Sequence, residues 1–245
     1  MTKKPVFWIV CSILFIASVL FTLKYFPKAY PIVSLDLQMD RQAAVETASG
    51  LAEKYGWGPE QFRQAAVFGV DEQVKNYVEL EIGGADAFRD LIQKELYFPY
   101  TWRVRLFREN TTNETLVRFT PEGSPYGFRE KLAEDEPGPS LSADSALAVA
   151  VTAARETWNV DLQAFSLVEK AKELRPGGRT DHTFVYERTE TTLGEARYRL
   201  RLVVSGNKLT ELTHFVKIPE AFSRMYQEMR SANNTIATSA LIAAA

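Results

Sequence analysis

The sequence predicts an α+β protein fixed to a membrane by one amino-terminal helix. Three observations predict it. An uncharged apolar run occupies residues 6–23. Two segments, WRVRLF at 102–107 and RYRLRLV at 197–203, alternate between apolar and basic residues over 102–106 and 197–202. Ahead of each lies a stripe of small residues at helical spacing.

The run VFWIVCSILFIASVLFTL at 6–23 holds about 18 residues, which as a helix reach about 27 Å, close to the thickness of a bilayer's hydrocarbon core. Tyr25 and Phe26 extend it into the interface, and Lys3, Lys4, Lys24 and Lys28 bracket it. Charge is therefore nearly balanced across the span. The short MTKK tail favours a cytoplasmic amino terminus, because long following domains translocate with little regard to charge. Two readings compete with an anchor. A cleaved signal peptide needs small residues at its cleavage site, where bulky Tyr25, Phe26 and Tyr30 stand. A buried core helix needs a polar stripe, and Ser12, Ser18 and Thr22 are residues that lipid tolerates.

After the anchor, about 200 residues remain, enough for one large or two small domains with real cores. The net charge is -2 with 24% charged residues, which provides no basic footprint for nucleic acid. Cys11 is the sole cysteine, so no disulfide can form within the chain.

Asp40 caps a predicted helix over 40–55, with Ala44, Ala48, Leu51 and Tyr55 on one face and Gly56 at its end. Residues 62–70 read as a strand. From Asp71 both periods fit, and a helix interrupted at Gly83 and Gly84, then resumed over 85–94, is preferred. In 101–107, Trp102, Val104 and Leu106 point inward while Arg103 and Arg105 point outward. A turn at 110–113 leads to a return strand at 115–120, which Pro121 and Gly123 stop. The segment EKLAEDEPGPS, acidic and proline-bearing, reads as a boundary.

The second half repeats the first in outline. A helix from Ser142 or Asp144 carries Ala146, Ala150, Ala153 and Ala154, and Trp158 and Phe165 stand where Trp57 and Phe62 stood. Strands are predicted at 165–174 and 183–188 around the Pro176–Gly177–Gly178 turn. In 197–203, Tyr198, Leu200 and Leu202 face inward and Arg199 and Arg201 outward, and Gly206 with Asn207 turns the chain back. This spacing predicts two copies of a helix followed by an antiparallel sheet. A helix over 221–230 follows, and residues 233–245 turn apolar like the first half of a second span.

Catalytic motifs are missing. The chain has two histidines, His182 and His214, without metal-ligand spacing, and no Walker loop, G-x-S-x-G or H-E-x-x-H pattern. Asp181 and His182 are neighbours on a strand and so point to opposite faces. His214 shares a face with Leu212 and Val216 and reads as packed. The outward Arg103, Arg105, Arg199 and Arg201 are the candidate contacts for an acidic peptide or lipid headgroups. The competing reading pairs them with Glu114, Glu187 and Glu211 across strands. Three N-x-[ST] triplets begin at Asn110, Asn113 and Asn233.

The order of WRVRLF, PEGSPYGF, EDEPGPSL, RPGGRTDHTFVYE, GEARYRLRLVVSGN and KIPEAFSR resembles the region ahead of the membrane protease domain in bacterial members of the CPBP family, the CAAX-processing and bacteriocin-processing intramembrane metalloproteases. The resemblance covers residues 31–234. It implies an anchor at 1–29, a first PepSY-like unit at 30–133, a linker at 134–140, a second unit at 141–232, and the start of another span at 233–245. It further implies a location outside the cytoplasmic face of a bacterial membrane, with the lipid bilayer and a peptide or protein segment as partners. The family's catalytic glutamate pair and later histidines have no counterpart here. No catalytic or metal-ligating residue is therefore carried over, and zinc is expected only in the membrane domain. The expected role is a non-catalytic substrate-binding or regulatory region. The alternative is a self-contained anchored peptide-binding or inhibitor module.

Overall fold

The computed structural model describes residues 5–95 and 97–244, and for 27–29, 34, 190–192 and 239–244 it describes the backbone. Lys3, Lys4 and Ala245 lie outside the described residues. The apolar run forms helix α1, Pro5–Ala29. Its stretch Pro5–Phe26 is long and apolar enough to cross a membrane, and none of its apolar window is buried inside the protein. A short 3-10 turn, Pro31–Ser34, follows.

Asp40 caps helix α2, Arg41–Tyr55, by accepting from the Ala43 amide. Gly56 ends it in the left-handed conformation, φ 63°, where a side chain would be strained. Strand β1 is Arg63–Val70. The ambiguous stretch after Asp71 is helical: α3, Glu72–Tyr77, runs into a π-helical turn, Val78–Gly83, and α4, Gly84–Gln93, follows. Gly83 (φ 160°, ψ 30°) and Gly84 (φ 73°, ψ -161°) leave helical geometry, so the two glycines interrupt the helix as the sequence predicts.

Strands β2, Tyr100–Phe107, and β3, Glu114–Phe119, follow the alternation. A further strand, β4, Pro125–Lys131, runs through the PYGF segment that the sequence does not mark as a strand. Proline at its first residue and glycine at its third position weaken the pattern. Helix α5, Ala143–Glu156, is capped by Ser142. Strands β5, Phe165–Leu174, β6, Thr180–Leu193, β7, Ala196–Ser205, and β8, Lys208–Lys217, complete the second half. Helix α6, Glu220–Ala244, is continuous. It includes residues that the sequence divides between an exit helix and the start of a second span.

All eight strands join one antiparallel sheet in the order β1-β2-β3-β4-β8-β7-β6-β5. The two halves meet where β4 pairs with β8, Phe128 opposite Leu212 and Arg129 opposite Glu211. Each half contributes four strands after an opening helix, but in the first half α3 and α4 stand between β1 and β2.

The helices share one face. Helix α2 lies on β1, β2 and β3, and α5 on β6, β7 and β8. Both do so through alanines four residues apart: Ala44, Ala48 and Ala52, and Ala146, Ala150 and Ala154, all buried. Without longer side chains the helix axes approach the sheet closely, and the core is filled from below by Val104, Phe119, Leu200 and Leu202. Trp57 and Trp158, which follow the two helices, flank Phe128 in near-parallel planes, with centroids 4.2 and 4.9 Å from its ring. Removing such a buried ring costs about 3–5 kcal/mol.

A second cluster, including Val74, Tyr77, Phe88, Tyr100, Tyr198 and Phe222, fills the other end of the same face beneath α3 and α4. Both long terminal helices dock at this end. The tail of α1 meets α4, Phe222 of α6 packs edge-on against Tyr77 at 5.1 Å, and Asn76 donates to the Tyr226 phenol at 3.0 Å.

Candidate functional site: the open face of the sheet

With the helices on one side, the alternation of β2 and β7 drives their arginines to the other. On β2, Trp102, Val104 and Leu106 are buried, and on β7 so are Tyr198, Leu200 and Leu202. The intervening Arg103, Arg105, Arg199 and Arg201 therefore share one outer face. Among the described residues no helix packs over that face, where the charged side chains stand beside Phe107, Leu116 and Phe215.

The four predicted arginines fall into two groups. Arg105 clamps Glu114, with Nε and Nη2 at 2.6 and 2.5 Å from Oε2, and lies over the Phe107 ring. Arg199 clamps Glu187 in the same way, at 3.0 and 2.8 Å. These two are cross-strand ion pairs, which hold neighbouring strands in register. Arg201 spreads over the Phe215 ring, 5.2 Å from its centroid. Arg103 forms no ion pair with a described residue, and its Nε is buried without an acceptor. Glu211, the third carboxylate offered by the sequence, takes no arginine in an ion pair among the described residues and sits opposite Arg129.

The structure adds Arg118 to this face, directly opposite Arg103. Its signal was present in the sequence: Thr115, Val117 and Phe119 are the buried residues of β3, so Leu116 and Arg118 alternate outward. A depression of about 470 Å³ is lined by Arg103, Arg118, Thr101 and Tyr126 together with the start of α3. A larger trough of about 820 Å³ crosses β4, β8, β7 and β6 further along the face, with Arg129, Arg201, Glu211 and Asp181 in its wall. Its charges are mixed, and a buried carboxylate among them is doubly paired. Asp181 Oδ1 accepts from Arg179 Nε at 2.9 Å and Oδ2 from Arg175 Nε at 2.7 Å. Arg179 in turn donates to the carbonyls of Ala133 and Glu136, so it fastens the acidic linker to the second half.

The histidines are on the helix side. His182 is buried with Nε2 3.0 Å from the Leu141 carbonyl, facing away from Asp181, so the two form no dyad. His214 stacks on Tyr126 at 4.5 Å and its Nδ1 lies 2.6 Å from the Tyr198 phenol oxygen. Burial foremost, with Arg118 and Arg188 adding to it, pushes the imidazole pKa down to about 3. Burial pushes the Tyr198 phenol up to about 12. Neither changes charge near neutral pH, which makes both poor general acids or bases there. Zinc finds no fit at these residues. Each histidine has a ring nitrogen committed inside the protein, and among the described residues no group of three potential ligands converges.

The two edges of the sheet differ. Strand β5 carries Glu169, Lys170, Lys172 and Glu173 and a register shift between Leu167 and Glu169, devices that discourage pairing with another chain. Strand β1 has no charge from Gln64 to Val70, and Val67 is 56% exposed. It pairs on its inner side with β2 over its whole length and has no strand on its outer side. No family model, curated protein or solved structure matches the chain.

Proposed function

We propose that this chain is a membrane-anchored, non-catalytic domain that binds an extended peptide as an added strand along β1. The observation that carries the proposal is β1 itself: a bulge-free strand, uncharged from Gln64 to Val70, with one side unpaired, at the edge of a sheet whose other edge is guarded by charge. Backbone hydrogen bonds to such an edge supply affinity, and alternate side chains supply selectivity. In the biological reading we favour, the domain lies on the extracytoplasmic side of a bacterial cytoplasmic membrane. There it serves as the substrate-binding or regulatory region of a CPBP-type intramembrane metalloprotease, whose zinc-bearing membrane domain is a separate part of the polypeptide. Support comes from the sequence resemblance, from an alanine-striped helix and four strands in each half, which suits tandem PepSY-like units, and from the docking of α1 and α6 at one end of the fold.

The binding reading is tested on the full chain in lipid nanodiscs with an alternating Thr/Val heptapeptide. Amides of β1 are expected to gain hydrogen-exchange protection, and Val67→Lys, which places a gatekeeper charge on the edge, is expected to weaken binding about tenfold. Unchanged protection along β1 at saturating peptide overturns it. The topology is tested with Ser142→Cys in a Cys11→Ser background: a membrane-impermeant maleimide should label whole cells. The assignment to a protease is tested by the coding sequence past codon 245. Further apolar spans with paired glutamates and histidines support it, and a stop codon supports the self-contained module.

A further inference from the structure

Arg103 and Arg118 face each other directly on β2 and β3. Like charges in that position oppose sheet formation, and the buried Arg103 Nε has no acceptor, so its desolvation is not offset within the protein. Elsewhere on this face the chain supplies carboxylates readily: Glu114 to Arg105, Glu187 to Arg199, and Asp181 to both Arg175 and Arg179. Arg103 and Arg118 both line the 470 Å³ depression, and neither forms an ion pair among the described residues.

The acidic groups that face the depression do not neutralise the pair. Asp71 Oδ1 caps the Val74 amide at 3.2 Å and Oδ2 accepts from the Tyr97 phenol at 2.8 Å. Glu72 is exposed on the first turn of α3 and forms no ion pair with either arginine among the described residues. Their presence nevertheless restricts what fits. Two carboxylates on the rim repel a doubly charged phosphate more than a singly charged carboxylate, and a planar carboxylate matches the guanidinium fork.

Position identifies the source of the anion. A Cβ at Gly69 would collide with Nη2 of Arg103, so the guanidinium reaches over β1, at the open edge of the sheet. A strand added beyond β1 would run about 4.8 Å further out, within reach of a glutamate side chain.

We propose that Arg103 and Arg118 form a carboxylate seat, filled by an acidic side chain of the peptide that pairs with β1. This rests on the edge-pairing reading above and adds a sequence requirement to it: one Glu or Asp on the face shared with Arg103.

The test uses the full chain in nanodiscs and three probes: a Thr/Val heptapeptide with one central Glu, its Gln counterpart, and free glutarate. The Glu peptide is expected to bind about 10- to 100-fold more tightly than the Gln peptide, and the preference to vanish in Arg103→Gln and Arg118→Gln. Glutarate is expected to raise the melting temperature of the wild type but of neither variant. Both variants should melt no lower than the wild type, because each relieves the like-charge opposition. Equal binding of the two peptides overturns the seat while leaving edge pairing intact. A glutarate effect lost in both variants, with neither peptide bound, overturns edge pairing and the peptide source while leaving the seat. Silence from all three probes overturns both.

Discussion

The phenol oxygen of Tyr198 and Nδ1 of His214 lie 2.6 Å apart in the middle of the sheet's covered face. With the imidazole held down to about 3 by burial first and by Arg118 and Arg188 next, the ring is neutral and shares one hydrogen bond with the phenol through Nδ1. In the unfolded chain the same ring titrates near 6.5. The unfolded state therefore binds the extra proton between those values, and the contribution of His214 to stability is full above pH 6.5 and falls as pH drops towards 3. The slope approaches about 1.4 kcal/mol per pH unit. Urea midpoints measured from pH 7.5 to 4.5 should fall, and His214→Asn should flatten that fall.

Asp181→Asn should cost about 3 kcal/mol, as expected when one partner of a largely buried ion pair is removed. Burial pushes the Asp181 carboxyl up, but hydrogen bonds from Arg179, Arg175 and Ser205 outweigh it and leave the group below the usual carboxylate range. Its contribution is thus complete at neutral pH and lost as acid protonates it. Because Arg179 also holds the linker carbonyls of Ala133 and Glu136, limited proteolysis should cut between residues 132 and 138 faster in the variant.

Gly127→Ala tests the seam between the halves. A Cβ there would stand 2.5 Å from the backbone oxygen of Leu212, an atom that cannot swing away. A loss of at least about 2 kcal/mol is expected, with thermal unfolding broadening or dividing into two steps. Gly50→Ala, in the interior of α2 with nothing within 4 Å of the new methyl, should instead add about 0.5–1 kcal/mol. Calorimetry on both variants checks the contrast.

Ala150→Leu should destabilise by about 1–3 kcal/mol through overpacking, because Ala150 is wholly buried between α5 and the sheet. Ala148→Leu, on the exposed side of the same helix, should stay within about 0.5 kcal/mol of the wild type. Chemical denaturation of the pair measures how closely α5 sits.

Much of the fold is legible in local pattern. Half-buried strands such as β2 and β7 alternate visibly, and the alanine stripes of α2 and α5 announce helices that lie close to a sheet. Strand β4 is not legible, because Pro125 and Gly127 interrupt its pattern and Gly127 is required by the approach of Leu212. The merger of two sheets into one is equally hidden, since two cross-strand pairs leave no periodic trace. At the candidate site, sequence places Arg103, Arg105, Arg199 and Arg201 on one face but cannot sort them. Which arginine meets a carboxylate depends on the register that puts Glu114 beside Arg105 and Glu187 beside Arg199, and on the absence of any such neighbour at Arg103 and Arg118.

The pairing of β4 with β8 also sets an order in time. Each group of four strands occupies one half of the chain, with α3 and α4 between β1 and β2, and can pair as it emerges, but β8 is the last strand made. Roughly 80 residues separate Arg129 from its partner Glu211, on the order of 4–16 s of ribosomal synthesis. Throughout that interval the nascent first half displays β4 as a raw border. A trigger that stalls the ribosome before β8 would leave a half-product prone to pair with its own kind.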